Sequence, residues 1–407
     1  MPELVETVVI GGGQAGLAVS QHLAQRRREH VIFERARVAE RWRSERWDSL
    51  YFQLPNWMMR LPGHVYAGGD PDGFSQRDDV VRFIADYAVR IAAPIRCGVN
   101  VSGVRQTEDG RLLVQAGPTS VAALNVVVAT GPYQIPTLPS CAARLPAGIF
   151  QVTASRYTRP SELPPGGVLV IGSGASGCQI TEDLLLDGRS VYYSLRGHRR
   201  MARRYRGRDG GKWGEEMGAP NRTADMLPPG FRTPLITGYK GGKTVDLHEM
   251  AQRGVTLLGS LQDIQGGRIF FAPDLNKNLE AGDESFRQWV SAVDAYIASA
   301  GIDAPPDGQF DEVLRGRRAH LPETEELDLR DARIGTVIWA LGYGYDFSLI
   351  GCDVIDARGA PVQQRGVTSV PGLYFLGLPC MHKVKSSFLW GVGEDAEFLA
   401  NHIDGRS

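Results

Sequence analysis

The chain has 407 residues, 43% of them hydrophobic, and 45 lysines and arginines against 46 acids leave a formal net charge of -1. That length suggests two domains, and the balanced charge argues against a general nucleic-acid binder, which carries a basic excess. Five scattered cysteines without a CxxC pair, and no apolar run of the ~18 residues a membrane span needs, lead us to expect a cytoplasmic protein with reduced thiols and neither a membrane nor a nucleic-acid partner. Acidic residues stand where a secretory leader would be positive.

The first apolar, β-branched run, Val5 to Ile10, reads as a strand. It enters Gly11-Gly12-Gly13-Gln14-Ala15-Gly16, and a helical stretch follows from Leu17 to about Arg26. A second apolar run, His30 to Phe33, ends in Glu34-Arg35. Strand, glycine turn, helix and strand make a βαβ unit with a dinucleotide fingerprint. In it Gly11 permits the tight turn, Gly13 the close approach of a pyrophosphate, and Gly16 the packing of helix on strand. The helix N-terminus, with Gln14 and Ala15, offers free N–H groups and partial positive charge to phosphates. Glu34 ends the next strand, where a carboxylate accepts hydrogen bonds from a ribose diol, with Arg35 beside it.

Residues 36–80 read as irregular and rich in Trp, Arg and Pro. Trp42 and Arg43 suit the cover of a flavin or its phosphates, although core aromatics would look the same. Residues 79–91 read as a helix, and 110–129 as short strands leading into Thr130-Gly131.

The order then repeats. A Pro/Gly-rich linker at 160–167 precedes a short strand, Val168 to Ile171, then Gly172-Ser173-Gly174-Ala175-Ser176-Gly177, a helix to about Leu186, and a strand at Val191 to Leu195. The chain continues from Ser194 through Arg196, His198 and Arg199, with no acid at the ribose position. Ser194, Arg196 and Arg199 suit a 2′-phosphate, which calls for permanently cationic, bidentate donors, so NADPH is expected over NADH. A solvated basic loop is the plainer alternative. Residues 200–245 read as a long functional or mobile loop. Near the end, Val337 to Leu341 reads as a strand and 391–403 as a helix. His198, His248, His320 and His382 show no metal-ligand spacing, so no metal is expected.

The expected fold is α/β, with two Rossmann-like dinucleotide-binding domains. Residues 160–324 are inserted into a first domain made of 1–158 and 325–407, with FAD in the first and NADPH in the second.

Together these residues resemble class B flavin-dependent monooxygenases, the group of flavin-containing monooxygenases, N-hydroxylases and Baeyer–Villiger enzymes, and look closest to its bacterial and YUCCA-like branches. The matching stretches are Gly11 to Glu34, Trp42 to Leu54, Ala129 to Tyr133 with Pro136, Gly172 to Gly177, Ala340 to Tyr343, and Ser387 to Ala396. Two stretches depart from the family. Its F-x-G-x-x-x-H-S-x-x-Y run is here Gln151 to Thr158, which keeps Tyr157 but has Thr153 for the histidine and Ala154 for the serine. Its Asn-Thr pair at the flavin face is here Gln53-Leu54.

The resemblance implies that NADPH reduces FAD and that reduced FAD and O2 form a C4a-(hydro)peroxide. A small-molecule substrate then takes one oxygen atom at nitrogen, sulfur or a carbonyl carbon. Gln53 becomes the candidate catalytic amide, with Asn56 as the second choice, and Lys383 and Lys385 precede a helix that could face the flavin. A thioredoxin-reductase-type enzyme lacks support without CxxC. An NADPH oxidase or flavin reductase, and a non-catalytic nucleotide sensor, stay open. A homodimer is entertained, with nothing in the residues to fix it.

Overall fold

The computed structural model describes residues 3–316 and 318–406. Its first sheet has seven strands. Glu3–Ile10 runs parallel between His30–Glu34 and Thr119–Val128, and Ile95–Cys97 extends the sheet beyond His30–Glu34. Leu373–Phe375 pairs parallel with the end of Thr119–Val128, and Leu112–Ala116 and Val101–Gln106 complete the sheet antiparallel. Both faces of Glu3–Ile10 are covered, which is why it reads as a continuous apolar run instead of alternating. Helices Gln14–Gln25, Arg77–Arg90 and Val392–Asp404 pack Leu17, Ile84 and Leu399 against one face, while Val8, Phe347 and Phe375 lie on the other.

The second sheet is all parallel, in the order Phe150–Thr153, Ile334–Trp339, Gly167–Ile171, Val191–Ser194, Thr256–Leu258. A three-stranded antiparallel sheet of Leu261–Gln265, Arg268–Phe271 and Glu326–Asp328 joins it through a shared core. The chain crosses between the units along an antiparallel pair, Ile135–Pro136 with Tyr343–Gly344. This corrects the expected boundaries at 158 and 325, because Phe150–Thr153, Glu326–Asp328 and Ile334–Trp339 all lie in sheets of the inserted unit. Short apolar runs announce a strand but not the sheet it joins.

The 200–245 segment is built, not loose. It holds a small hairpin, Arg204–Tyr205 with Arg208–Asp209, and the helix Gly210–Glu216. Trp213, fully buried, donates its indole N–H to the Tyr205 carbonyl at 2.8 Å. Together with Tyr205 it forms a core with Phe286, Val290 and Val293 of the long helix Leu275–Ala300. That helix passes so close to His198 that a Cβ at Gly282 would stand 2.3 Å from the imidazole Nε2, and it stops at Gly301 in the left-handed region (φ 62°).

Candidate functional site

The two glycine turns are one device made twice. Gly11 has φ 114°, and a Cβ there would stand 2.5 Å from the Ala129 carbonyl oxygen, while one at Gly16 would stand 2.0 Å from that of Gly11. In the second turn Gly172 has φ 129°, a Cβ there would stand 2.2 Å from the Ala340 oxygen, and one at Gly177 would stand 2.0 Å from that of Gly172. The middle glycines, Gly13 and Gly174, differ in kind: a Cβ at either would meet nothing within 4 Å. Their missing side chains leave open space at a helix N-terminus instead of relieving a protein contact. Neither helix carries an acid in its first turn, so the positive end of each dipole is uncompensated.

Both turns open on one cavity of about 960 Å³. At one end it is lined by Gly11, Gly13, Gln14, Ala15, Glu34, Arg35, Trp42, Gln53, Thr130 and Gly131, and at the other by Gly172, Ser173, Gly174, Ala175, Ser176 and Arg196. Glu34, 9% exposed, accepts from the Gly12 N–H at 2.7 Å and the Ala36 N–H at 2.9 Å. Those bonds fix the carboxylate and leave each oxygen a lone pair for a ribose diol. Gln14 donates to the Ser387 carbonyl at 2.6 Å, tying the first turn to the C-terminal segment whose Phe388, Leu389 and Trp390 form part of the wall. Phe388 and Trp390 stack at 4.6 Å with planes 6° apart. Among the described residues the Gln53 amide and the Arg196 guanidinium have no protein partner, so both stand free toward the cavity.

Other expected site residues lie outside the cavity. Gly16 and Gly177 serve packing, as their positions in the fingerprint require. Arg43 donates Nε to the Val38 carbonyl at 3.0 Å. Ser194 is buried and donates to the Gly259 carbonyl at 2.7 Å, and Arg199 lies over the Phe231 ring at 5.3 Å. Asn56, 4% exposed, turns its amide to protein, donating to the Asp70 carbonyl at 2.9 Å and accepting from Ser75 at 2.7 Å. It braces the loop and does not line the cavity. Lys383 and Lys385 both bind Glu394, the first at 2.8 Å, so neither is a free cation. Burial would raise the Glu394 carboxyl, but the two lysines hold it below the usual carboxylate range.

Three arginines that the sequence did not single out, Arg41, Arg46 and Arg232, do line the cavity. Arg46 lies 4.9 Å over the Tyr133 ring and 5.9 Å over Trp42. Arg232 donates to the Gly197 carbonyl at 2.7 Å, beside Arg196. Arg46 lies just beyond the short helix Glu40–Ser44 that carries Trp42, and only the fold brings Arg232 to the cavity.

Burial and the nearby Arg200 charge push His198 down to about 4, so it is a neutral packing residue. Tyr157 donates its hydroxyl to Asp183 at 2.5 Å, whose other oxygen accepts from Ser49 at 2.6 Å. That arrangement bolts the 49 and 157 segments to the second glycine helix. Among the described residues no group of three or more His, Cys, Asp or Glu is disposed to hold a metal, and no helix is long and apolar enough to cross a membrane.

Comparison with known proteins agrees with this geometry. Residues 8–207 match the family described as pyridine nucleotide-disulphide oxidoreductase. An uncharacterized CzcO-like oxidoreductase of Geobacillus kaustophilus is 32% identical over 408 residues, covering 99% of each chain. A probable indole-3-pyruvate monooxygenase, YUCCA1 of Arabidopsis thaliana, is 29% identical over 193 residues, 46% of each chain. Among solved structures, a flavin-containing monooxygenase from Stenotrophomonas maltophilia covers 99% of both chains at 20% identity with a TM-score of 0.69.

Proposed function

The chain belongs to the class B flavin-dependent monooxygenase family, and from that premise we propose that it uses NADPH to reduce bound FAD and transfers one oxygen atom of O2 to a small molecule. The observation that carries the proposal is the duplicated glycine device at the two ends of one cavity. A dinucleotide held at each end would share one cavity with the other, which a single-site nucleotide sensor does not require.

The residues divide the work. The Gly11–Gly16 turn holds the FAD pyrophosphate on the N-terminus of Gln14–Gln25, and Glu34 takes the adenosine ribose. The Gly172–Gly177 turn does the same for NADPH, with Arg196 and Arg232 as cations for the 2′-phosphate. When bound, the flavin supplies hydride acceptance and oxygen activation. Leu54, Phe388 and Trp390 give the shared space apolar walls that keep water out. The free Gln53 amide is a hydrogen-bond donor for oxygen atoms in that space.

The oxygen acceptor is a nucleophilic amine or thioether, or a ketone undergoing Baeyer–Villiger insertion. To test this, the purified flavoprotein is given NADPH and O2 with a panel of the three classes, and NADPH consumed is balanced against peroxide and product. Product formed one-for-one with NADPH by at least one class supports the proposal. Peroxide equal to NADPH with every class makes the protein an NADPH oxidase.

A further inference from the structure

The wall that carries Gln53 is held from the other unit. Arg203 belongs to the inserted unit, is 2% exposed, and reaches across to donate Nη1 to the Gln53 main-chain carbonyl at 2.7 Å. Its Nη2 pairs with Asp209 at 3.0 Å, and the same Asp209 oxygen caps the helix Gly210–Glu216 by accepting from the Gly211 N–H at 2.7 Å. The Phe74 ring lies beneath the guanidinium at 5.1 Å. The surrounding surface is close-fitting: a Cβ at Gly238 would stand 2.0 Å from the Phe52 carbonyl oxygen, and one at Gly242 would stand 2.6 Å from Phe74. Arg60 and Glu215 pair at 2.7 Å across the same face.

We propose that Arg203 is a positioning residue, a latch by which the inserted unit fixes the Gln53–Leu54 wall of the cavity and so sets how well oxygen chemistry is protected. The consequence for oxygen chemistry rests on the function proposed above, whereas the latch itself does not. A fork with two donor ends is needed, because one end must stay on Asp209 while the other spans the gap to a carbonyl. Lysine keeps the charge beside Asp209 but offers a single ammonium, so it holds the ion pair and lets the wall go. The latch leaves NADPH binding alone, since the Arg203 guanidinium bonds Gln53 and Asp209, whereas Arg232 is held on the Gly197 carbonyl. It leaves flavin retention to the first glycine turn.

The test uses the FAD-bound protein as wild type, Arg203→Lys, and Arg203→Met combined with Asp209→Asn, the last removing both charges so that neither is buried alone. Hydrogen–deuterium exchange is followed by mass spectrometry. In both variants amides of residues 51–57 are expected to exchange at least about tenfold faster, the change that loss of one charge-assisted hydrogen bond gives in a local opening equilibrium, while the strand 3–10 stays protected. The KM for NADPH should stay within about twofold, and peroxide released per NADPH should rise several-fold with an accepted substrate. Unchanged exchange at 51–57 in both variants overturns the latch. Faster exchange with unchanged peroxide overturns its link to oxygen chemistry. A wild type that releases only peroxide while the variants still loosen 51–57 rejects the monooxygenase proposal and keeps the latch.

Discussion

Substituting the middle glycine of each turn by alanine separates ligand space from protein packing. Gly13 has φ -91° and ψ -172°, an extended conformation open to any residue, and its new methyl would meet no protein atom within 4 Å. The change costs up to ~1 kcal/mol as a poorer helix N-cap, and it gains ~0.4–1 kcal/mol by restricting the unfolded chain. These nearly cancel, so the melting temperature of the FAD-free protein should move by less than about 4 °C. The same methyl occupies the space where pyrophosphate oxygens reach the helix N–H groups. Losing one such bond costs about 1.5–3 kcal/mol, or roughly ten- to 150-fold in FAD affinity. Gly16→Ala is the contrast, because its methyl would stand 2.0 Å from the Gly11 carbonyl oxygen and must damage the fold itself. Gly174→Ala should retain flavin and instead raise the KM for NADPH by a similar factor. FAD titration by fluorescence, thermal melts and initial-rate kinetics read all three. FAD binding to Gly13→Ala within threefold of wild type would refute the reasoning, as would loss of flavin from Gly174→Ala.

Three further outcomes follow from the site. Removing Arg196 or Arg232 by alanine should lower the NADPH-over-NADH ratio of kcat/KM about ten- to 100-fold with little effect on NADH itself, since a 2′-phosphate loses a charge-assisted partner. Asn56→Ala should lower the melting temperature, because Ser75 and the Asp70 carbonyl lose buried partners at about 1–3 kcal/mol, while Gln53→Ala should leave stability unchanged and raise the peroxide yield. Asp246 ties Arg200 and Arg318 to the basic segment. Burial would raise its carboxyl, but the Arg318 hydrogen bond and the two guanidinium charges hold it well below the usual carboxylate range. A carboxyl depressed in the folded state stabilises the fold above its unfolded value and loses that contribution as pH falls below about 4. The wild-type melting temperature should therefore drop between pH 5 and 3. Asp246→Asn, already less stable at pH 7, should drop less.

The parts of the site that were legible in the sequence are those whose geometry is local. A glycine turn between strand and helix dictates its own backbone, so Gly11, Gly13 and Gly16 and their repeats could be assigned roles from spacing alone. Glu34 was legible because the strand after the turn fixes its distance from the fingerprint. Arg232 was not, because it enters through the fold of the 200–245 segment, where its only announcement is one arginine among several. The domain boundaries at 158 and 325 were misplaced for a related reason: Phe150–Thr153 and Ile334–Trp339 join the inserted unit's sheet, and sheet membership is not a local property. Gln53 and Asn56 lie three positions apart with the same side-chain chemistry, and burial alone tells the free amide from the spent one. Arg43 and Arg46 differ likewise: Arg43, inside the short helix Glu40–Ser44, turns back onto the Val38 carbonyl, whereas Arg46 lies beyond the helix end and lines the cavity.

The central claim is most directly tested by stopped-flow spectroscopy of the flavoprotein reduced anaerobically with NADPH and then mixed with O2. The account predicts rapid bleaching with NADPH and slow bleaching with NADH, followed by an absorbance transient distinct from both reduced and oxidised flavin that decays faster when an accepted substrate is present. Immediate return of oxidised flavin, with peroxide equal to the NADPH consumed and no response to any substrate, would contradict it.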